Sequence, residues 1–173
     1  TVLRSQKRFA AGTFVADGAT TGWSRCLTQR TSSVVQFARP KTSDLLLVNA
    51  DEAETIVDLT LLGPAGEIQA QGSKGIVVSP RSSRTVPISA LVADDTPIGV
   101  ALQTSSGRVA AVGRTWATAA GDFINTSIPS QTQLIAGLPA GAKTVKVLVT
   151  NPGTERASVD VTAFGRQAIA LAN

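Results

Sequence analysis

The side chains that could carry chemistry in this 173-residue chain are few. The sequence contains no histidine, no tyrosine and one cysteine, Cys26. The lack of histidine excludes Ser–His–Asp and Cys–His catalysis, and it leaves no ordinary zinc site, which needs histidines or several cysteines. We therefore expect no catalytic residues, no metal site and no cofactor, and we interpret the protein as not an enzyme.

Two pairs of neighbouring carboxylates remain as candidates. Asp94 and Asp95 lie in "VADDTPIG", and Asp51 and Glu52 lie in a turn-like stretch. A glycosidase needs two carboxylates that face each other across a cleft, which adjacent residues in a loop do not show. Asp94 and Asp95 could contribute oxygens to a Ca²⁺ site or lie in a solvated turn. We keep Asp94 and Asp95 as candidate ligand-binding residues.

Aromatic side chains offer a second kind of site, because their flat apolar faces suit a sugar ring. The chain has two tryptophans and five phenylalanines. Trp23 lies in a loop-like segment among Gly, Ser and Arg, so we take Trp23 and its neighbour Arg25 as candidate ligand-binding residues. Trp116 follows an alternating strand, and this pattern predicts that its side chain lies in the core.

The charge is unevenly distributed along the chain. Residues 1–43 contain seven basic residues and one acidic residue, whereas residues 44–60 contain five acidic residues and no basic one. The basic segment could meet an acidic polymer or a phospholipid surface, or it could pack beside the acidic segment of the same fold. Its basic residues are not interleaved with aromatics, so we expect no nucleic-acid partner. No apolar run reaches the roughly 18 residues of a membrane span.

The elements that must position these residues are strands. Apolar side chains alternate in Thr55–Leu62, Thr144–Thr150 and Ala157–Phe164, which is the pattern of a half-buried strand. Short alternating segments separated by Gly, Pro and Ser turns continue to Ala117, with "SSG" predicted to close a hairpin between residues 98–104 and 108–117. The sequence therefore predicts an all-β protein with an immunoglobulin-like antiparallel β-sandwich.

One stretch occurs twice. "LLVNADEAETIVDLTLLG" (46–63) and "LVTNPGTERASVDVTAFG" (148–165) share six of eighteen positions at an offset of 102, including Asn49/Asn151 and Gly63/Gly165. Each copy is predicted to be a strand–turn–strand hairpin. A weaker echo links "RFAAGTFVADGATTGW" (8–23) with "RVAAVGRTWATAAGDF" (108–123).

The repeat predicts a domain organisation. Residues 44–133 would form one complete sandwich, preceded by the tail of one unit and followed by the head of another. Since a lone hairpin is marginally stable in water, we expect residues 1–43 and 134–173 to pack together as a second, discontinuous sandwich. The alternative is that their partners lie outside this sequence or in another chain.

The series "LLLVNADEAETIVDLTLLGPAGEI", "GIVVSPRSSRTVPISAL", "PIGVALQTSSGRVAAVGRTW" and "VLVTNPGTERASVDVTAFG" resembles an actinobacterial family of extracytoplasmic proteins of unknown function. Members carry repeated Asn-Pro β-sandwich units after an N-terminal signal or anchor, although the first unit here has Ala50 in place of the proline. "WSRC" (23–26) looks like the Trp/Cys element that precedes their first unit. The resemblance implies a location outside the cytoplasmic membrane, and it transfers no functional residue.

These observations predict a non-catalytic extracytoplasmic binding or scaffolding module at the bacterial cell envelope. Its partner would be an envelope protein or a cell-wall glycan. The alternative is a carbohydrate-binding accessory domain that acts on cell-wall or extracellular glycan. We expect Cys26 to be a semi-buried structural thiol or to have a disulfide partner outside this sequence.

Overall fold

The computed structural model describes residues 3–17, 20–117, 120–137, 143–164 and 168–171. Regular structure in this part of the chain consists of strands and two 3-10 helices, Pro40–Thr42 and Ile88–Ala90, and it includes no helix long and apolar enough to cross a bilayer. The strands, in chain order, are β1 (Gly12–Asp17), β2 (Thr20–Arg25), β3 (Ser32–Phe37), β4 (Ser43–Asn49), β5 (Thr55–Gly63), β6 (Gly66–Ile68), β7 (Ile76–Val78), β8 (Ser82–Pro87), β9 (Ile98–Ser106), β10 (Ala110–Ala117), β11 (Ala120–Asn125), β12 (Val161–Phe164) and β13 (Ala168–Leu171).

Two antiparallel sheets face each other. The four-stranded sheet has the order β11-β10-β4-β8, and the five-stranded sheet has the order β3-β9-β5-β6, with β7 pairing the same edge of β5 as β6. Every described pairing is antiparallel. The prediction of an all-β antiparallel sandwich is therefore confirmed.

The core lies between these sheets and follows the alternation of side chains. In β4 and β5 every second residue is buried, which places Leu45, Leu47, Val57, Leu59 and Leu61 between the sheets. Burying each such side chain contributes roughly 1.5–3 kcal/mol relative to leaving it exposed. The largest fully buried side chain is Phe37 of β3, so the N-terminal third of the chain contributes to this core.

The strand pairing differs from the prediction at two connections. The strands of the first repeat copy, β4 and β5, lie in opposite sheets, and so do β9 and β10. Neither pair is a hairpin. Alternation shows which side chains share a buried face, and that condition is met equally by strands of one sheet and by strands that cross between sheets. The described hairpins are β1–β2, β5–β6, β10–β11 and β12–β13.

The strands of the terminal segments are placed in two ways. Strand β3 pairs with β9 inside the five-stranded sheet, and its other edge bridges to Ser127. Residue 44, the predicted start of the complete unit, lies within β4, and β3 and β4 belong to the two sheets that face each other. The division into residues 44–133 and a second, discontinuous unit stays a prediction. By contrast, β1–β2 and β12–β13 form separate two-stranded sheets. The association of these remaining terminal strands with one another stays a prediction.

The second repeat copy has less regular structure than the first. Residues 143–160 contain no strand in the described chain, and the predicted strand Ala157–Phe164 is observed only as β12. Gly165, the last matching position, lies outside the described residues. An extended segment becomes a strand only when a neighbouring backbone pairs with it, and residues 144–150 have no such pairing here.

Candidate functional site

The four residues predicted to bind a ligand lie in two different surroundings. Trp23 and Arg25 belong to β2, which pairs with β1. Asp94 and Asp95 lie in the loop between the second 3-10 helix and β9. The two surroundings share no described hydrogen bond or ion pair, so the structure does not bring the four residues together as one site.

Asp94 makes a hydrogen bond within its own loop, and Asp95 joins this loop to the segment at the first 3-10 helix. Asp95 pairs with the guanidinium of Arg39 at 3.3 Å and accepts a hydrogen bond from the backbone N–H of Lys41 at 3.0 Å. Asp94 accepts the backbone N–H of Thr96 at 2.9 Å. Hydrogen bonds from Thr96 hold the pKa of Asp94 below its ordinary value, and the nearby Lys41 charge lowers it further. Both carboxylates are engaged in structural contacts of a solvated turn.

Trp23 forms an exposed aromatic pair with Phe14. The two are cross-strand partners in the β1–β2 hairpin, and they are 60% and 62% exposed. A Cβ on Gly12 would lie 2.5 Å from the Trp23 ring, so the glycine leaves room for the indole to lie over the strand. Cross-strand aromatic pairs of this kind stabilise a hairpin and present a continuous apolar surface. We call Phe14 and Trp23 the aromatic pair.

Trp116 is also exposed, and the prediction that it lies in the core is wrong. Its side chain is 48% exposed. The guanidinium of Arg114 lies 4.1 Å from the ring centroid, within the range of a cation–π contact. Both residues hold the same carboxylate, Asp44 of β4: Arg114 donates at 2.8 Å and the indole Nε1 donates at 3.3 Å. We call Asp44, Arg114 and Trp116 the Trp116 cluster.

The reason for this orientation lies on the other face of β10. A Cβ on Gly113 would lie 2.9 Å from the ring of Phe37. The bulk of Phe37 fills the space beneath β10, which requires a small residue there. The large alternate residues, Arg114 and Trp116, therefore point to the outer face of the four-stranded sheet.

The β1–β2 hairpin rests on this same outer face. A Cβ on Gly22 would lie 3.2 Å from the ring of Phe123 in β11, and the Ser24 hydroxyl donates to the amide oxygen of Asn125 at 3.2 Å. Since Gly22 and Ser24 face β11, the alternate residue Trp23 faces away from it. Arg25 donates to the carbonyl of Thr126 at 3.4 Å and helps to fix the hairpin. The aromatic pair is thus an outward surface on a docked hairpin.

A third polar group lies at the end of the sandwich. Asp51 accepts hydrogen bonds from Arg108 at 2.8 and 3.2 Å and from Gln29 at 2.8 Å. The hydrogen bond from Arg108 is the main reason that the pKa of Asp51 lies below its ordinary value, and the charge of Arg4 adds to the effect. The Asp51 carboxylate joins the connection after β4 to the segments that contain Gln29 and Arg108.

The acidic segment 44–60 finds its ion-pair partners away from the basic N-terminal segment. Asp44, Asp51 and Glu52 pair with Arg114, Arg108 and Arg81. Among the described residues, the basic segment contacts the acidic segment through Arg4, which donates to the backbone carbonyl of Ala50 and whose charge helps to lower the pKa of Asp51.

The structure also shows the surroundings of Cys26 and the spacing of the possible metal ligands. The Cys26 thiol is exposed rather than semi-buried, and it is free within the described chain. The described residues include no group of three or more His, Cys, Asp or Glu side chains that could hold a metal ion. Sequence reasoning identified Trp23 but missed the Trp116 cluster, because Asp44 and Arg114 are 70 positions apart and meet only through strand pairing.

Comparison with known proteins gives a family. A family model described as a family of unknown function, DUF5719, matches residues 14–171. The chain belongs to the DUF5719 family. The match includes the aromatic pair, the Trp116 cluster and both repeat copies, so these features of the DUF5719 chain lie within the family region. The expected resemblance to a family of unknown function is confirmed in this form.

Other comparisons add little to the DUF5719 assignment. No curated protein matches the chain. Among solved structures, the Anabaena sensory rhodopsin transducer is similar over 49% of this chain and 94% of its own, with 16% sequence identity and a TM-score of 0.40.

Proposed function

We propose that the protein is a non-catalytic binding or scaffolding module that acts outside the cytoplasm, at the bacterial cell envelope. The observation that carries the proposal is the aromatic pair. Soluble proteins bury most large aromatic side chains, and a contiguous exposed apolar patch marks an interaction surface. Phe14 and Trp23 form such a patch on a hairpin whose opposite face is fixed against β11.

The energetic gain from covering the aromatic pair is large enough to matter. Burying the exposed parts of the two rings removes about 200 Å² from water, which contributes about 5 kcal/mol before association entropy is subtracted. Aromatic residues are enriched at the centres of protein–protein interfaces for this reason. The favoured partner is therefore an envelope protein with a complementary apolar surface. Arg25, beside the pair, would supply a charged contact at its rim.

The envelope location is supported by the sequence motifs rather than by the geometry. The Asn-turn motifs and "WSRC" are similar to those of extracytoplasmic proteins that follow a signal or an anchor. Fractionation of an actinobacterium that expresses the full gene tests this part: the protein is expected with the cell envelope or medium, and recovery from the cytoplasm alone would contradict it.

The binding proposal is tested by retention of solubilised envelope proteins on the immobilised chain. The variants Phe14→Ala and Trp23→Ala are expected to lose a specifically retained protein that wild type holds. The matched control is Leu134→Lys, which changes an exposed apolar residue outside the hairpin. Equal retention by wild type and Trp23→Ala would refute the role of the aromatic pair.

A second candidate function is a carbohydrate-binding accessory domain, and the Trp116 cluster favours it. The indole of Trp116 is held at its edge by Asp44 and has the guanidinium of Arg114 over one ring face. A half-exposed aromatic ring with polar groups beside it is a combination that recognises a pyranose ring. A glycan array with polysaccharide pull-down distinguishes the two functions. Saturable glycan binding that Trp116→Ala or Trp23→Ala abolishes would favour this candidate over a protein partner.

A further inference from the structure

The two hairpins on the outer face correspond in register. In β1–β2, Gly12 pairs with Arg25, and in β10–β11, Val112 pairs with Asn125. Every cross-strand pair of the first hairpin thus recurs in the second at an offset of 100 residues. The correspondence makes β1 the counterpart of β10 and β2 the counterpart of β11.

The second repeat copy (148–165) contains the same turn that joins β4 to β5 in the first copy. The Asn49 side chain accepts the backbone N–H two residues ahead at 3.0 Å and donates to the carbonyl four residues ahead at 2.8 Å. The Asn151 side chain makes the same two bonds, at 3.0 and 2.6 Å. The same hydrogen-bonded loop therefore recurs at an offset of 102 residues.

Apolar side chains that are buried in the sandwich have exposed counterparts in the N-terminal segment and in the second repeat copy. The core positions Leu45, Leu47 and Val57 are fully buried. Their counterparts at an offset of 102 are exposed: Val147 is 39%, Val149 is 58% and Val159 is 44% exposed. On the β1 side, Phe9 is 54% exposed, whereas its counterpart Val109 is 5% exposed. Both segments carry the apolar pattern of a core without a core around them.

The sandwich itself shows how these segments fit together. Strand β10 pairs antiparallel with β4, with Ala111 opposite Leu47 and Gly113 opposite Leu45. When each β10 residue is replaced by its counterpart 100 positions earlier and each β4 residue by its counterpart 102 positions later, Ala11 lies opposite Val149, and Thr13 lies opposite Val147. The edge of β1 that has no partner strand in the described part of the chain is thus the counterpart of the edge that β4 occupies. Residues 145–150 are the counterpart of β4.

Within one molecule, β1 and residues 145–150 lie on opposite outer faces of the sandwich. The β1–β2 hairpin rests against Phe123 on the outer face of the four-stranded sheet. Thr150 lies against Gly99 of β9, and since Ile98 and Val100 face the core, Gly99 faces the outside of the five-stranded sheet. Two sheets packed about 10 Å apart separate these outer faces, and no described strand pairing joins β1 to residues 145–150 within one molecule.

We propose that β1 of one copy pairs antiparallel with residues 145–150 of a second copy of this chain. The pairing satisfies the exposed backbone edge of β1 and buries Val147 and Val149. Because the two surfaces differ and lie on opposite faces, the contact is head-to-tail, and repeated use yields rings or filaments. The proposal is independent of the proposed envelope function.

Disulfide trapping tests the register. In a Cys26→Ser background, one copy carries Ala11→Cys and the other carries Val149→Cys, because opposed residues of antiparallel strands lie within disulfide reach. The control mixture replaces Val149→Cys with Leu134→Cys, a site outside the segment that is more exposed, at 85% against 58%. Severalfold more heterodimer from the first mixture is expected, and equal yields from the two mixtures would overturn the proposal.

Light scattering and a variant that carries both cysteines in one chain complete the test. The mass of the wild type is expected to rise above the 17.8 kDa of one chain as concentration increases. Val149→Lys is expected to remain a monomer, while Leu134→Lys associates as the wild type does. A wild type that stays monomeric at all concentrations would overturn the proposal. So would rapid disulfide closure within one chain that carries both cysteines at high dilution, since that shows pairing inside a single copy.

Discussion

Replacing Asn49 and Asn151 by alanine tests the correspondence between the two copies and its limit. Both side chains make the same two local hydrogen bonds, but Asn49 is 1% exposed and also donates to the carbonyl of Val78 in β7 at 3.1 Å. Asn151 is exposed. Asn49→Ala removes three hydrogen bonds, of which the one to Val78 is buried, and an uncompensated loss at a buried group costs about 1–3 kcal/mol.

We therefore expect Asn49→Ala to lower the free energy of unfolding by about 3 kcal/mol, against under about 1 kcal/mol for Asn151→Ala, whose groups can bond to water. In a chain of this size such a loss lowers Tm by about 6–12 °C. Urea titration and differential scanning calorimetry of both variants measure the difference. Equal effects of the two substitutions would refute the claim that only the first copy belongs to a core.

Three further predictions concern packing and pH. Gly113→Ala places a methyl group against Phe37 and is expected to cost about 1–3 kcal/mol in urea titration; a neutral effect would contradict the tight contact beneath β10. Gly99→Ala is expected to displace Thr150 and speed proteolysis near residue 150, and adding Thr150→Ala should reverse most of this change; no change in cleavage would show that the segment does not lie on β9. The pKa of Asp51 is lowered by folding, so its ionised form stabilises the fold above the ordinary carboxyl pKa, and that contribution is lost as pH falls through the lower folded value. Asp51→Asn should therefore flatten the decline of Tm below about pH 4, and profiles of equal slope would contradict the assigned ion pair.

Alternation of apolar residues was enough to predict most strands of the sandwich. It could not predict which sheet each strand joins. The buried face of β4 looks the same whether β5 returns beside it or crosses to the other sheet, because both arrangements bury every second side chain. The difference depends on contacts between residues far apart in sequence, and a single sequence does not display those contacts.

The candidate site shows the same division between local and long-range information. The turn at Asp94 depends on a hydrogen bond to Thr96, two residues away, and such turns are visible in sequence. The exposure of Trp116 depends on Phe37 of another strand, which fills the space below Gly113. The alternation within this strand therefore predicts that Trp116 is buried. Packing against Phe37 across the sandwich places Gly113 on the inner face instead, and Trp116 is exposed.

The terminal segments illustrate what a repeated sequence can and cannot specify. The Asn151 turn forms without help because all its hydrogen bonds are local. The strand expected at residues 144–150 does not form in the described structure, since a strand needs a partner backbone. The sequence repeat thus predicts the shape of a segment, and the partner decides whether a sheet results.

Hydrogen exchange of the wild-type chain at low and high concentration tests most directly the claim that β1 and residues 145–150 are counterparts of paired strands. Peptides from β5, β9 and β10 should be protected at both concentrations. At high concentration, β1 and residues 145–150 should gain protection together. Protection of residues 145–150 that is already complete in dilute solution, or a gain in only one of the two segments, would contradict the account.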